Sequence, residues 1–307
     1  MKQIWIIAKK EFKAAFKDKI FLVITILFLL LSIMSVYIGG STKNALLKAY
    51  TDIVDYIKSQ GGSVFPPKPI VFPLAILQNI IEYVSIVGAV LAVFLGFDTF
   101  SSEKENGTLR LLLSRPLYRD QLLSGKLLGG TMVIGLLLGV TLIFNTFLFM
   151  FVSTLKPGMA EISRLVVFII IAFCYMMSFY IASVFISIKT KDRSFGFLVM
   201  LIAWITISFV IPQLAESQKS FAYALNSTAQ SVTKLPESTT ISKTIEIFSP
   251  AVQFQNIGGD LLQTSPDSAT ISILAIFQKR FSSLIYMLIP GMLMLIGAYK
   301  SFLKEEI

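Results

Sequence analysis

The sequence predicts an all-α polytopic membrane protein, a single domain over residues 1–307 with six transmembrane helices. Three observations carry that expectation. Of 307 residues, 55% are hydrophobic and 15% charged, with a mean hydropathy of +0.76, whereas soluble domains carry about 25% charged residues. Six stretches are long and apolar enough to cross a hydrocarbon core of about 30 Å, which takes about 20 helical residues. Lysine and arginine, which give the chain a formal charge of +9, gather on one side of those stretches, as at the inner face of a membrane, so no nucleic-acid partner is expected. The same composition excludes other chemistry. With no histidine and a single cysteine, there is no histidine acid–base pair, histidine-containing zinc site, internal disulfide or cysteine cluster. Cys174, among Phe173, Tyr175 and Met176, reads as a small buried apolar residue.

Taken in order, residues 1–19 place Trp5, Ala8, Phe12, Ala15 and Phe16 on one face of a helical wheel and Lys2, Lys10, Lys13 and Lys17 on another. That pattern predicts an interfacial helix on the inner leaflet, in contact with membrane lipid. A cleaved signal peptide is excluded, because the apolar run from Ile20 is too long and no small-x-small site follows it. The spans are expected at about 20–42, 70–97, 127–152, 165–188, 195–212 and 281–299. Continuous apolar runs argue against an outer-membrane barrel. An even number of spans puts both termini on one side. The pieces between spans on that side hold 16 of the 27 Lys and Arg, so both termini are expected in the cytoplasm of a cell-membrane protein. Residues 43–69 suggest a short helix, Asn44–Lys58, then a Gly-Gly and Pro-Pro linker. Residues 213–280 form the extracytoplasmic loop.

The cytoplasmic segment 98–126 carries the most information. Its charged approach leads to Gly107-Thr108, where Thr108 is positioned to cap a helix. Leu109 and Leu111–Leu113 follow, and Pro116 closes the run because proline cannot continue a helix. A short leucine-faced helix in water needs something to cover it: either the membrane or a groove on a soluble partner.

Glu103-Lys104-Glu105-x-Gly107-Thr108-Leu109, then Leu112-Leu113, Pro116, Arg119 and Gly125-Lys126, resembles the E-R/K-E-x-G-T-L…LL…P…R…G-K signature of type-2 ABC exporter permeases. Phe248-Ser249-Pro250-Ala251 with Gln253-Phe254 is similar to their external Ser/Asn-Pro-x-x-x-Phe stretch. The resemblance implies that residues 108–114 are a coupling helix gripped by a separate ATPase, through Glu103, Glu105, Gly107, Thr108, Leu109, Leu112, Leu113, Pro116 and Arg119. It also implies two copies of that ATPase, which bind ATP and Mg, and a second permease copy, as homodimer or related heterodimer. The chain would be the membrane subunit of an ATP-driven exporter, or an accessory subunit of an ATPase-powered assembly, maturation or motility complex. No cofactor is expected in this chain, and it is not expected to be an enzyme. A phosphate-binding loop needs G-x-x-x-x-G-K-[ST]; Ser124-Gly125-Lys126 is followed by Leu127, and Gly39–Lys43 has its lysine after the hydroxyls.

Glu82 is the one ionisable residue well inside an expected span, where a charge costs about 3 kcal/mol or more unless paired or wet. Gln78, Glu82 and Ser85 share a helical face with Asn79 at its edge, and Ala89, Ala92 and Gly96 continue it. That face reads either as a substrate pathway at a dimer axis, polar toward the outside, or as a structural hydrogen-bond cluster between spans. Gly125, Gly129, Gly135 and Gly139 give two G-x-x-x-G spacings, which admit close approach of a neighbouring helix.

Overall fold

In a bilayer each backbone N–H and C=O has to be satisfied within its own segment, and the apolar runs achieve this as helices. The structure, a computed structural model, describes residues 2–69, 72–109, 118–152, 158–226, 231–264 and 271–304. Six helices among them are long and apolar enough to cross a membrane. After α1 (Lys2–Ala15), they are α2 (Lys19–Ser59), α3 (Pro73–Glu105), α4 (Arg119–Val152), α5 (Met159–Lys189), α6 (Arg193–Ser217) and, last in the chain, α10 (Phe281–Lys304). This is the predicted fold class.

Local chemistry sets the helix starts. The carboxylate of Asp18 accepts from the backbone N–H of Ile20 (2.7 Å) and Phe21 (3.2 Å), so the chain turns sharply from α1 into α2. Asp192 does the same for α6 through Phe195 N–H at 2.8 Å. The short helix expected after the first span is instead a continuation of it. Residues 43–59 contain no proline, and α2 runs unbroken to Ser59, where Gly61, at φ +74°, ends it.

The helices pack through small and hydroxyl side chains, since lipid offers no hydrophobic drive between them. Ser183 and Ser187 of α5 donate to the carbonyls of Val93 (2.6 Å) and Phe97 (2.7 Å) of α3. Asn145 of α4 donates to Ser32 of α2 at 2.8 Å. Tyr175 and Tyr180 are fully buried at the centre of the bundle.

At the end remote from the start of α1, the described residues of 213–280 form regular elements. Strands β1 (Ser220–Asn226) and β2 (Ser231–Glu237) pair antiparallel from Ser220↔Glu237 to Asn226↔Ser231. Helices α7 (Thr240–Glu246), α8 (Pro250–Leu261) and α9 (Ile273–Lys279) follow. In α8 the buried residues Ala251, Phe254, Ile257, Gly258 and Leu261 recur at helical spacing. Phe254 stacks on Tyr175 with ring centroids 4.6 Å apart. Ser249 caps α8 by accepting from Val252 N–H at 3.3 Å, and its hydroxyl donates to the Ile207 carbonyl of α6 at 2.8 Å. Asp260 then receives Arg280 at 2.6 Å and Lys279 at 3.4 Å, while Arg164 of α5 donates to the carbonyls of Asp260 and Ile271. The stretch read as an external loop is therefore bolted into the bundle.

Candidate coupling site

The resembling motif lies at the end of the bundle that carries the termini, where α3 leaves it and α4 returns. Lys126, one turn or two into α4, is almost wholly buried. A buried ammonium is stable only with compensating charge and acceptors. It lies 3.1 Å from Glu11 of α1 and 3.0 Å from Glu103 of α3, donates to the Thr99 carbonyl at 2.7 Å, and sits 5.1 Å from the centre of the Phe100 ring. Lys10 completes the group, 3.1 Å from Glu103 and 3.7 Å from Glu11. Two cations and two anions thus form a neutral cluster joining α1, α3 and α4. Burial alone would lower the Lys10 ammonium; its hydrogen bond and charge attraction to Glu103 outweigh that and raise it above the ordinary lysine value.

The two residues after Glu103 bind two further elements. Lys104 donates to the carbonyls of Ser187 (3.1 Å), Ile188 and Thr190 (3.3 Å), closing the C-terminus of α5. Glu105 pairs with Arg193 at 2.7 Å, and Arg193 also reaches Asp98 at 2.8 Å. A cleft of about 240 Å³ lies among Lys104, Glu105, Lys191 and Arg193. Gly107 then turns the chain. Its φ of +67° is one that a side chain disfavours, and its N–H returns to the Lys104 carbonyl at 3.2 Å, ending α3.

This geometry corrects part of the expected partner surface. Glu103 faces inward because Lys126 holds it there, and Leu109 is buried in the hydrophobic core. Neither is presented to a partner. Thr108 is exposed, and its hydroxyl donates back to the Glu103 carbonyl at 3.3 Å. Glu105 remains largely exposed despite its pair with Arg193, and Arg119 opens α4 half-buried. Leu112, Leu113 and Pro116 lie outside the described residues.

The expected pathway face is also not a single face. The second span starts with a 3₁₀ turn at Pro73–Leu77 and contains a π turn at Val84–Gly88. Each departs from 100° per residue and shifts the register. Gln78 and Glu82 point outward and Asn79 is half-buried. Ser85 is buried, and its carbonyl accepts from the Tyr175 hydroxyl at 2.8 Å. Ala89, Ala92 and Gly96 are likewise buried.

The glycine pairs also divide. A Cβ on Gly125 would stand 2.7 Å from Ile7 Cβ, and one on Gly129 would stand 2.6 Å from Glu11 Cβ, so this pair seats α1. Gly135 has only an ordinary contact with Phe173, and Gly139 faces open space; they seat nothing. On α1 itself Ala8 and Ala15, from the face read as lipid-contacting, are instead buried against the protein, whereas Trp5 of the same face is exposed.

Across residues 5–307 the sequence matches the model of the ABC-2 family transporter proteins. The chain belongs to that family. Curated relatives include the probable ABC transporter permease protein NosY of Stutzerimonas stutzeri, 27% identical over 136 residues, and that of Pseudomonas aeruginosa, 29% identical over 136 residues. Each match covers 44% of this chain, and the chain spans about two fifths of those relatives, 41% and 42%.

In this ABC-2 permease the residues that sequence reasoning missed are Lys10 and Glu11. Lys10 reads only as one of the lysines sharing a wheel face, and Glu11 is a lone acid in a basic helix whose partner is 115 positions away. A lone opposite charge on the packed side of an amphipathic helix was the available signal.

Proposed function

We propose that this permease is the membrane subunit of an ATP-driven exporter, in which a separate ATPase moves residues 108–114 and the bundle carries that motion across the bilayer. One observation carries the reading: three successive residues at the end of α3 tie it to α1, α4, α5 and α6, and Gly107 then ends the helix immediately before residues 108–114. A segment pushed from outside would load four helices together. In this reading both termini are cytoplasmic, two ATPase copies bind ATP and Mg, and a second permease copy completes the complex. α1 lies at the lipid interface. Glu82, a carboxylate exposed on a membrane helix, needs water or a second copy beside it, which supports a pathway there with Gln78 and Asn79; Ser85 joins it only through the α8 contact with Gln255.

The test is recovery of the ATPase. Leu112→Ser with Leu113→Ser should leave the protein inserted at normal level yet abolish co-purification of the partner, because apolar anchors dominate a small interface. Equal recovery at matched membrane levels would place the grip elsewhere and overturn the coupling assignment.

A further inference from the structure

Helices α5 and α10 run side by side in the same direction and end together, and between their ends lies a cleft of about 590 Å³. Phe185 forms its apolar wall, against a glycine, Gly297, where a Cβ would already touch the ring at 3.0 Å. Lys189, Lys300 and Lys304 surround it. Among the described residues none of the three takes part in an ion pair. Two helix C-termini supply at most roughly half a negative charge each, and Lys104 already closes that of α5, so among the described residues the three ammonium groups leave a positive excess. Glu305 and Glu306 follow in the sequence, outside the described residues.

Spacing along α10 identifies the shape of what would neutralise that excess. Leu293, Gly297, Lys300 and Lys304 recur at intervals of four, three and four, one helical stripe. The stripe passes from an exposed leucine (64%) through the glycine to two cations. A free anion uses only the cationic end. A molecule with a phosphate at one end and a hydrocarbon chain at the other uses all of it. We infer that this cleft binds the phosphate headgroup of an anionic phospholipid, with its acyl chain lying along α10 toward Leu293. Basic pockets between membrane helices bind such headgroups by the same chemistry. The inference concerns lipid recognition and stands independently of the transport reading.

The experiment is native mass spectrometry of the full chain, purified and titrated with phosphatidylglycerol, phosphatidylcholine or inorganic phosphate. The natural sequence should retain phosphatidylglycerol in preference to phosphatidylcholine, and millimolar phosphate should not displace it. Lys189→Gln/Lys300→Gln/Lys304→Gln should lose that retention by roughly fivefold per lysine, while the corresponding triple arginine variant keeps it. Lys43→Gln/Lys48→Gln/Lys58→Gln, at the other end of the bundle, should behave as the natural protein. Should the triple glutamine variant fail to insert, Lys300→Gln alone is read for its single step of roughly fivefold. Unchanged retention in the glutamine variants overturns the inference. So does complete displacement of the lipid by phosphate, which would make the cleft a site for free anions.

Discussion

Lys126 sits where two carboxylates would otherwise face each other in the interior. Replacing it with methionine leaves the largely exposed Lys10 as the remaining cation beside Glu11 and Glu103, and breaking such a buried pair costs up to about 3–5 kcal/mol. The expected result is a marked fall in the melting temperature of purified Lys126→Met. Adding Glu103→Gln should restore part of it, so that the two losses are not additive; strictly additive losses would mean that the two residues do not interact. Gly107 makes a different demand. Among the described residues no atom lies within 4 Å of its missing side chain, and its positive φ is the constraint that they show. Gly107→Asn should recover more ATPase than Gly107→Ala, because asparagine tolerates the left-handed region and alanine loses about 1 kcal/mol there. Equal recovery from both variants would remove the backbone argument. Of the individual residues, those in the motif were visible in the sequence, but the direction in which each faces was not. Glu103 and Glu105 are two positions apart and look equivalent on paper; one is held inside by a lysine 23 positions later in the chain, the other lies at the surface.

At the level of helices, α1 is seated by the first glycine pair and untouched by the second. Gly129→Ala drives a methyl group into Glu11 and Ala8, an overpacking of about 1–3 kcal/mol, and should loosen α1. Gly139→Ala meets nothing and should be neutral or slightly stabilising, since alanine is the better helix former by about 1 kcal/mol. Proteolysis within residues 2–17 of each purified variant checks the contrast; equal cleavage would show that the close approach does not hold the helix. Phe254→Ala removes the ring stacked on Tyr175 and should cost about 3–5 kcal/mol, read as loss of thermal stability. The six spans were legible because hydrophobic length alone defines them. The 3₁₀ and π turns of α3 were not: the first packs on α2 at Gly39, the second meets Tyr175 of α5 and Gln255 of α8, and neither leaves a mark on periodicity. The burial of α8 was legible in its spacing of Ala251, Phe254, Ile257 and Leu261, yet the polar sequence around it pointed to a loop.

For the molecule as a whole, the asymmetry of lysine and arginine predicts the orientation, and two natural sequons report on it. Asn226-Ser227-Thr228 and Asn106-Gly107-Thr108 stand at opposite ends of the bundle. Produced in a glycosylating membrane system, the protein should carry sugar at Asn226 only. Modification of Asn106 would invert the topology and remove the coupling segment from the cytoplasm. Substrate capture in vesicles separates an exporter from an accessory subunit of a larger assembly, and Glu82→Gln should change how ATPase activity responds to substrate while leaving expression intact. The nature of any substrate was not legible, because the irregular turns of α3 leave Gln78 and Glu82 exposed but Ser85 buried, so the polar residues do not form one surface.

The two π turns, Val84–Gly88 and Thr206–Val210, both border α8: Gln255 approaches the hydroxyl of Ser85, and Ser249 bonds the Ile207 carbonyl. A π turn holds one residue more than its pitch needs, and that surplus can migrate along a helix without unravelling it. The opposite end of the bundle is riveted by four charges, and among the described residues the two π turns are the irregular points that could yield beside α8. A load applied at Gly107 is therefore expected to travel through a stiff base and to appear as slippage of the two π turns against α8.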